Sequence, residues 1–333
     1  MSEVTLPDAP AIDGLRFRTY RGAEDVPAMV VVQRAAQRAD GDTEVWSEES
    51  MRLDLENPTH GDPADDVLLA FLGDRMVAYS RVGWEDASQG ERTYWSFGRV
   101  HPDWRRRGIG TAMLGHDERR RREIAAGHET TAPLTLLSWV SDNDAGAIAL
   151  LTKRGYRRVR TYHHMVRPDL DDVRVPPLPE GLEVRPITPD LLPTLWAAME
   201  EAFRDHFGGQ DFSPEAFRRW SLDPDFDASL LVVALDGDEV AGGVQGQIIP
   251  VENELNGYLR GWVDPVFTRR AWRRRGVASA LLGRALVVLR DRGMTSAQLG
   301  VDSENANDAE GLYERHGFRV VRSSSEWHRP LAL

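Results

Sequence analysis

The feature that most constrains this 333-residue chain is a repeat inside it. Arg105-Arg106-Arg107-Gly108-Ile109-Gly110 recurs as Arg273-Arg274-Arg275-Gly276-Val277-Ala278, with Gly276 168 positions after Gly108. A second pair of landmarks keeps nearly that offset: Arg154-Gly155-Tyr156 and His316-Gly317-Phe318 stand 162 positions apart, glycine to glycine. Landmarks in one order at one period indicate a duplicated structural unit. The length allows two domains, each able to bury its own core. Residues 11–168 read as the first and 182–333 as the second. Residues 169–181 read as a linker, because Arg167 to Pro179 is charged, Pro-rich and short of apolar side chains.

Each half shows the same order of elements. Helical patterns come first, around Asp25 to Ala39 and Asp190 to Phe207. Two strands follow across a tight turn, Val67 to Leu72 and Met76 to Val82 in the first half, Leu230 to Leu235 and Val240 to Gln247 in the second. Gly73-Asp74 and Asp236-Gly237-Asp238 between apolar runs are hairpin signals. A further strand enters each arginine triplet, and a helix leaves it (Gly108 to Ala125, Gly276 to Arg292). A buried strand comes next (Leu134 to Val140, Ala297 to Val301), and a helix and a final hairpin close each half. This order predicts α/β domains with a mixed sheet.

Composition narrows the chemistry. The chain has no cysteine, which excludes disulfides, a thiol nucleophile and thiolate metal sites. Its nine His are scattered, and His163-His164 lacks the spacing of a zinc pair, so no metal is expected. A net charge of −12 disfavours nucleic acid and suits a cationic small molecule. No apolar run approaches a membrane span, and Met1 to Pro10 shows no secretory pattern, so a cytoplasmic location without a membrane partner is expected. Arg119 to Arg122, flanked by Glu118 and Glu123, reads as the wet face of a helix.

A strand, a basic glycine turn and then a helix form a phosphate-binding device. The first N–H groups of the helix lack internal partners, and the helix dipole puts partial positive charge there. Gly108 and Gly110, or Gly276 and Ala278, allow close approach of a pyrophosphate, and the arginines add fork-shaped donors. No Gly-Lys-Ser/Thr follows, so the turn is not a P-loop, and the third glycine of a dinucleotide fingerprint is absent.

These turns resemble the coenzyme A pyrophosphate loop of the GNAT acetyltransferase superfamily. Leu312-Tyr313-Glu314-Arg315-His316-Gly317-Phe318 resembles that family's other signature, and the tandem arrangement is similar to its two-domain, mycothiol synthase-type members. The resemblance implies two tandem domains, each a mixed, mostly antiparallel twisted sheet flanked by helices. Acetyl-CoA would lie in a V-shaped gap between the fourth and fifth strands. The implied cofactor-binding residues are Thr268, Arg273, Arg274, Arg275, Gly276, Val277, Ala278, Ser279 and Asn305. In the first half they are Val100, Arg105, Arg106, Arg107, Gly108, Ile109, Gly110 and Thr111. The implied reaction moves acetyl to a primary amine of a small molecule, in a monomer or homodimer. Acetylation of a protein N-terminus or Lys, and a non-catalytic acyl-CoA-binding module, are the alternatives.

Tyr313 stands at the family's general-acid position, and the matching residue in the first half is Leu151, which has no proton to donate. The resemblance therefore places catalysis in the second half. The family's Glu on the fourth strand falls on Trp262 here. Asp264, two positions on and so on the same face, is the first candidate for the base. Glu252, Glu254 and Asp302 are alternatives, and Asp264-Pro265 also reads as a strand bulge. The first half's fourth strand, Thr93 to Gly98, carries no carboxylate. His206, between the first helices of the second half, reads equally as a pocket or a packing residue.

Overall fold

The computed structural model describes residues 3–86, 91–204, 206–207, 210–305 and 308–332. The chain forms two compact units, Met1–Thr161 with Ser324–Leu333, and Tyr162–Ser323.

Unit 1 contains β1 (Leu15–Thr19), α1 (Val26–Ala39), α2 (Glu48–Glu56), α3 (Pro63–Asp66), β2 (Val67–Leu72), β3 (Arg75–Asp86), β4 (Arg92–Val100), α4 (Ile109–Ala126), β5 (Leu134–Ser141) and α5 (Ala145–Lys153). The strand β6 (Arg157–Arg167) carries the chain into unit 2. That unit holds β7 (Glu183–Arg185), α6 (Leu192–Phe203), α7 (Pro214–Leu222), β8 (Leu231–Asp236), β9 (Glu239–Gln247), α8 (Pro250–Asn256), β10 (Arg260–Thr268), α9 (Val277–Asp291), β11 (Ser296–Asp302) and α10 (Ala309–Arg315). The strand β12 (Arg319–Pro330) ends the described fold. Helices and strands fall where the apolar periodicity placed them. The short helices α2, α3, α7 and α8 were not anticipated, because four to nine residues are too few for a helical period to stand out.

Both sheets are antiparallel except at one pair. In unit 1, β4 runs parallel to β5 over Arg92–Ser96 against Leu134–Ser138. In unit 2, β10 runs parallel to β11 over Arg260–Trp262 against Ser296–Gln298. The pairing stops there although all four strands continue, so the two strands part and a gap opens between them.

The final hairpins expected within each half do not form. Residues 324–330 of β12 close unit 1 by pairing with β5, and residues 162–167 of β6 close unit 2 by pairing with β11. Period-two alternation tells which face of a strand is buried, not which strand it will meet.

The Pro-rich stretch 169–181 is a strap on unit 2 rather than a bare linker. Leu170 is 1% exposed and lies in one core cluster with Leu281, Leu286 and Phe318, with Val173 and Leu178 packed beside it. The Arg167 guanidinium donates to the Asp169 carbonyl at 2.7 Å and the Asp172 carbonyl at 2.6 Å. Gly283 on α9 lets the strap lie close, since a Cβ there would stand 2.5 Å from the Arg174 carbonyl oxygen. Charge and proline masked the three apolar anchors in the sequence. We expect Leu170→Ala to cost about 2–5 kcal/mol, the range for emptying a sealed leucine site. Chemical denaturation checks this, and an unchanged midpoint would return the strap to linker status.

The run Arg119 to Arg122 also needs correction. Arg121 is fully buried. Its guanidinium donates to the Tyr94 and Leu137 carbonyls, both at 3.0 Å, and to the Tyr156 hydroxyl at 2.8 Å. Glu118 is buried too, 3.1 Å from Arg329. A buried cation is tolerated when its donors are met in this way.

Candidate active site

The two arginine turns have one geometry. Arg105 Nε donates to the Val100 carbonyl at 3.2 Å, and Arg273 Nε to the Thr268 carbonyl at 3.1 Å. The rest of each guanidinium braces the turn against the end of its unit's first long helix. Arg105 forms a fork to Asp40 at 2.6 and 2.8 Å, and Arg273 donates to the Ala202 carbonyl at 2.9 Å. These first arginines hold the turn in shape, a role that spacing alone did not distinguish from phosphate contact.

The next residues shape the cradle. Arg106 and Arg274 have φ of 62° and 61°, and Gly108 and Gly276 have φ of 90° and 89°. Left-handed residues within a turn curl successive N–H groups toward one side, as in an anion-binding nest. Helices α4 and α9 start directly after, and their first ladder bonds run from Ala112 N to the Gly108 carbonyl and from Ala280 N to the Gly276 carbonyl, both 3.0 Å. The N–H groups of Ile109, Gly110 and Thr111, and of Val277, Ala278 and Ser279, lie ahead of those ladders.

Both turns reach solvent: Arg106, Arg107 and Gly108 are exposed, as are Arg274, Arg275 and Gly276. They differ in what stands beside the glycine, for a Cβ on Gly276 would meet nothing within 4 Å. In unit 1, a Cβ on Gly108 would stand 3.1 Å from Pro10 Cβ, and Arg107 lies over the Trp104 ring at 4.5 Å. The N-terminal segment is fastened there by Leu6, which is buried against Ile109, Ala112 and Met113. The second turn is thus clear of the rest of the chain on its glycine side, whereas the first has Pro10 beside its glycine.

The remaining C-terminal candidates flank the gap in different ways. Ser279 Oγ is 2.8 Å from His316 Nε2, so its hydroxyl is engaged. Thr268 Oγ1 is buried without a side-chain partner and faces β9, 3.2 Å from where a Cβ on Gly242 would lie. The Thr268 carbonyl is the one that accepts from Arg273 Nε. Asn305 sits in the turn after β11, its N–H on the Asp302 carbonyl at 3.1 Å.

A bulge aims the candidate base. The β9–β10 register shifts between Val263 and Val266, so Asp264-Pro265 is the inserted pair. The β3–β4 register in unit 1 has no such shift. Asp264 is exposed, its Oδ2 is 3.7 Å from where a Cβ on Gly300 of β11 would lie, and it lines a cleft. The bulge and the carboxylate are thus one feature, since the extra residue turns the side chain toward β11.

Tyr313 is buried in the unit 2 core, its ring 6.1 Å from Phe318. Burial pushes its phenol well above the ordinary value, and the negative charge of Asp264 raises it further. The two groups therefore sense each other, and the phenol keeps its proton at neutral pH. Leu151 occupies the same place in unit 1, buried in its core. The helix ends match closely. Phe318 N donates to the Tyr313 carbonyl and Tyr156 N to the Leu151 carbonyl, both at 3.0 Å, with Gly317 and Gly155 at φ of 83° and 82°.

The alternative bases are placed elsewhere. Glu252 is 1% exposed and accepts from Tyr258 Oη at 2.9 Å, Trp262 Nε1 at 3.3 Å and Gln298 Nε2. A carboxylate held by three donors stabilises structure more readily than it accepts a proton. Glu254 is exposed on α8, and Asp302 Oδ1 accepts the Glu304 N–H at 2.9 Å in a turn. The His206 ring lies 4.4 Å from Phe203; its neighbours Asp205 and Gly208 lie outside the described residues.

The cleft beside Asp264 was not anticipated from sequence. It measures about 380 Å³ and is walled by Trp196, Phe203, Phe212, Trp220 and Phe226. The aromatic density of residues 196–226 was the available signal, but it reads equally as core. Among the described residues, no group of three or more His, Asp or Glu could hold a metal ion, and no helix is long and apolar enough to cross a membrane.

A parallel strand pair that parts beside a glycine turn and a helix start defines an α/β domain with room for an extended ligand between two strands. The acetyltransferase (GNAT) family model matches residues 32–156 and again 194–318, and the chain belongs to that family. It is therefore an acyltransferase with two tandem family domains. The mycothiol acetyltransferase of Parafrankia sp. is 30% identical over 336 residues, covering 92% of this chain and 95% of that protein. The mycothiol acetyltransferase of Kineococcus radiotolerans is 32% identical over 307 residues, covering 87% of this chain and 88% of its own. Among solved structures, a GCN5-related N-acetyltransferase from Sphaerobacter thermophilus is similar with TM-score 0.72 at 28% identity, covering 98% of this chain and 97% of that one. A tandem GNAT protein from the clavulanic acid biosynthesis pathway shares the fold, with TM-score 0.70 at 18% identity and coverage of 96% and 99%.

Proposed function

We propose that this protein moves the acetyl group of acetyl-CoA to a primary amine of a small molecule, with the chemistry in the C-terminal half. The observation that carries this reading is the exposed Gly276 turn at the start of α9, with Asp264 of the β10 bulge facing β11 and lining the aromatic cleft. Val277, Ala278 and Ser279 N–H groups, with Arg274 and Arg275, hold the pyrophosphate. The thioester arm runs along β10 past the bulge. The amine enters through the aromatic cleft, loses one proton toward Asp264, directly or through water, and attacks the thioester carbonyl. A C–N bond forms, the C–S bond breaks, the adduct loses a second proton, and the thiolate takes one from Tyr313. One proton is released to solvent per turnover. Positioning in the gap supplies much of the rate, and proton management the rest.

The N-terminal half acts as a scaffold. It has Leu151 in place of the acid, no carboxylate on Thr93 to Gly98, and Pro10 over its turn. Residues Val100 and Arg105 to Thr111 keep the cradle shape and bind coenzyme A more weakly than their C-terminal counterparts.

Thiol release from acetyl-CoA with a panel of amines tests the reading. Asp264→Asn keeps the size of the side chain and removes its basicity, so we expect kcat to fall by about 10²-fold or more. Turnover equal to the parent protein, with chemistry shown to limit the rate, removes Asp264 from the mechanism.

A further inference from the structure

The walls of the Asp264 cleft indicate what kind of amine enters it. Trp196 stands 5.0 Å from Phe212 and 5.2 Å from Trp220, and Trp220 stands 4.8 Å from Phe226, ring centre to ring centre. Both indole donors are engaged by protein: Trp196 Nε1 donates to the Phe212 carbonyl at 3.3 Å, and Trp220 Nε1 to Gln245 Oε1 at 2.7 Å. The aromatic side of the cleft therefore offers carbon and ring faces, and its polar groups are Gln210, Gln245, Gln247 and its carboxylates. Three carboxylates, Asp211, Asp223 and Asp264, line the same cleft with no Lys or Arg among its described lining residues, and Asp211 is paired from behind with Arg219 at 3.1 Å. Its volume is at the low end of the roughly 300–1,000 Å³ of small-molecule sites.

We propose that this cleft selects a primary amine carried on an aromatic ring, with the ring among Trp196, Phe212, Trp220 and Phe226 and the ammonium at the Asp264 end. The assignment rests on the acetyl-transfer reading above, which makes the cleft the acceptor site. Ring faces attract both an apolar body and a cation, and nearby carboxylates favour the charged amine. A polyhydroxylated aminosugar is the contrary case. Each hydroxyl it buried against these rings without a partner would cost free energy. The reaction is the one already written: the aryl-bearing amine gains the acetyl group, coenzyme A leaves as the thiol, and one proton is released.

The test compares phenethylamine and tryptamine with glucosamine, in two measurements on the full chain. Thiol release at saturating acetyl-CoA gives kcat/KM for each amine, and calorimetric titration in the presence of coenzyme A gives binding. We expect the aryl amines to be favoured at least about tenfold in both, equivalent to about 1.4 kcal/mol. Phe226→Leu keeps an apolar side chain and should lower the ratio of phenethylamine to glucosamine about tenfold while leaving the KM for acetyl-CoA in place. Trp220→Leu, checked by thermal melting, should do the same. Thiol release that favours glucosamine overturns the aromatic assignment and leaves acetyl transfer standing. Aryl amines that bind tightly without thiol release support the cleft assignment and overturn the chemistry. Equal loss with all amines in both variants assigns the rings to packing and overturns the proposal.

Discussion

Gly276→Glu is expected to weaken coenzyme A binding by at least about 100-fold, and Gly108→Glu to change it far less. Gly276 has φ of 89°, a conformation that costs a residue with a Cβ roughly 1–2 kcal/mol. The new carboxylate would also stand where the N–H groups of α9 and two exposed arginines present positive potential to a pyrophosphate. The backbone cost falls on stability in free and bound protein alike, so the carboxylate beside the pyrophosphate carries the loss of affinity, and two factors of ten correspond to about 2.8 kcal/mol. At Gly108 the same change meets Pro10, which already roofs the turn. Calorimetric titration of coenzyme A into each variant separates the sites. A loss confined to Gly108→Glu would invert the assignment of the halves, and no loss in either would refute the loop reading.

Tyr313→Phe is expected to lower turnover by about 10²-fold or more with little change in acetyl-CoA affinity. The substitution removes one hydroxyl and leaves the ring against Phe318, so the core is preserved. Its pH behaviour adds a second readout. Burial and the nearby Asp264 charge both raise the phenol pKa, so Tyr313 stays protonated across neutral and mildly basic solution. The parent protein should therefore show no basic limb from Tyr313 near neutrality, and the variant should lower the plateau without moving either limb. A limb that disappears with the hydroxyl would mean that Tyr313 titrates in the working range and that its surroundings are wetter than described.

Much of the site's framework was legible because it is local. Glycines with positive φ, arginines before a helix start and the five-residue step from Tyr313 to Phe318 are set by short-range backbone sterics and helix-end hydrogen bonding. They read the same in both halves, and the structure reproduces them in both. The inequality of Tyr313 and Leu151 was visible for the same reason.

Other features depended on partners far away in the chain. Arg105 and Arg273 share one motif with Arg106 and Arg274, yet their guanidinium groups turn inward because Asp40 and the Ala202 carbonyl wait there. Glu252 is an alternative base to Asp264 on sequence, and only the fold shows Tyr258, Trp262 and Gln298 closed around it. Arg121 looked wet until the Tyr94 and Leu137 carbonyls met it.

What the sequence determined by itself was the duplication, the order of elements in each half, the two glycine turns at the helix starts and the presence of Tyr313 in the second half where the first has Leu151. Each of these is carried by residues within about a turn or two of one another, where spacing and propensity decide conformation. What only the tertiary structure decided was which strand closes each sheet, which arginines are braces, how a bulge aims Asp264 and that aromatic residues of α6, α7 and the segments beside them wall a cleft. Those outcomes rest on contacts between residues tens to hundreds of positions apart. Period and composition constrain which faces are buried, and packing alone selects the partner that buries them.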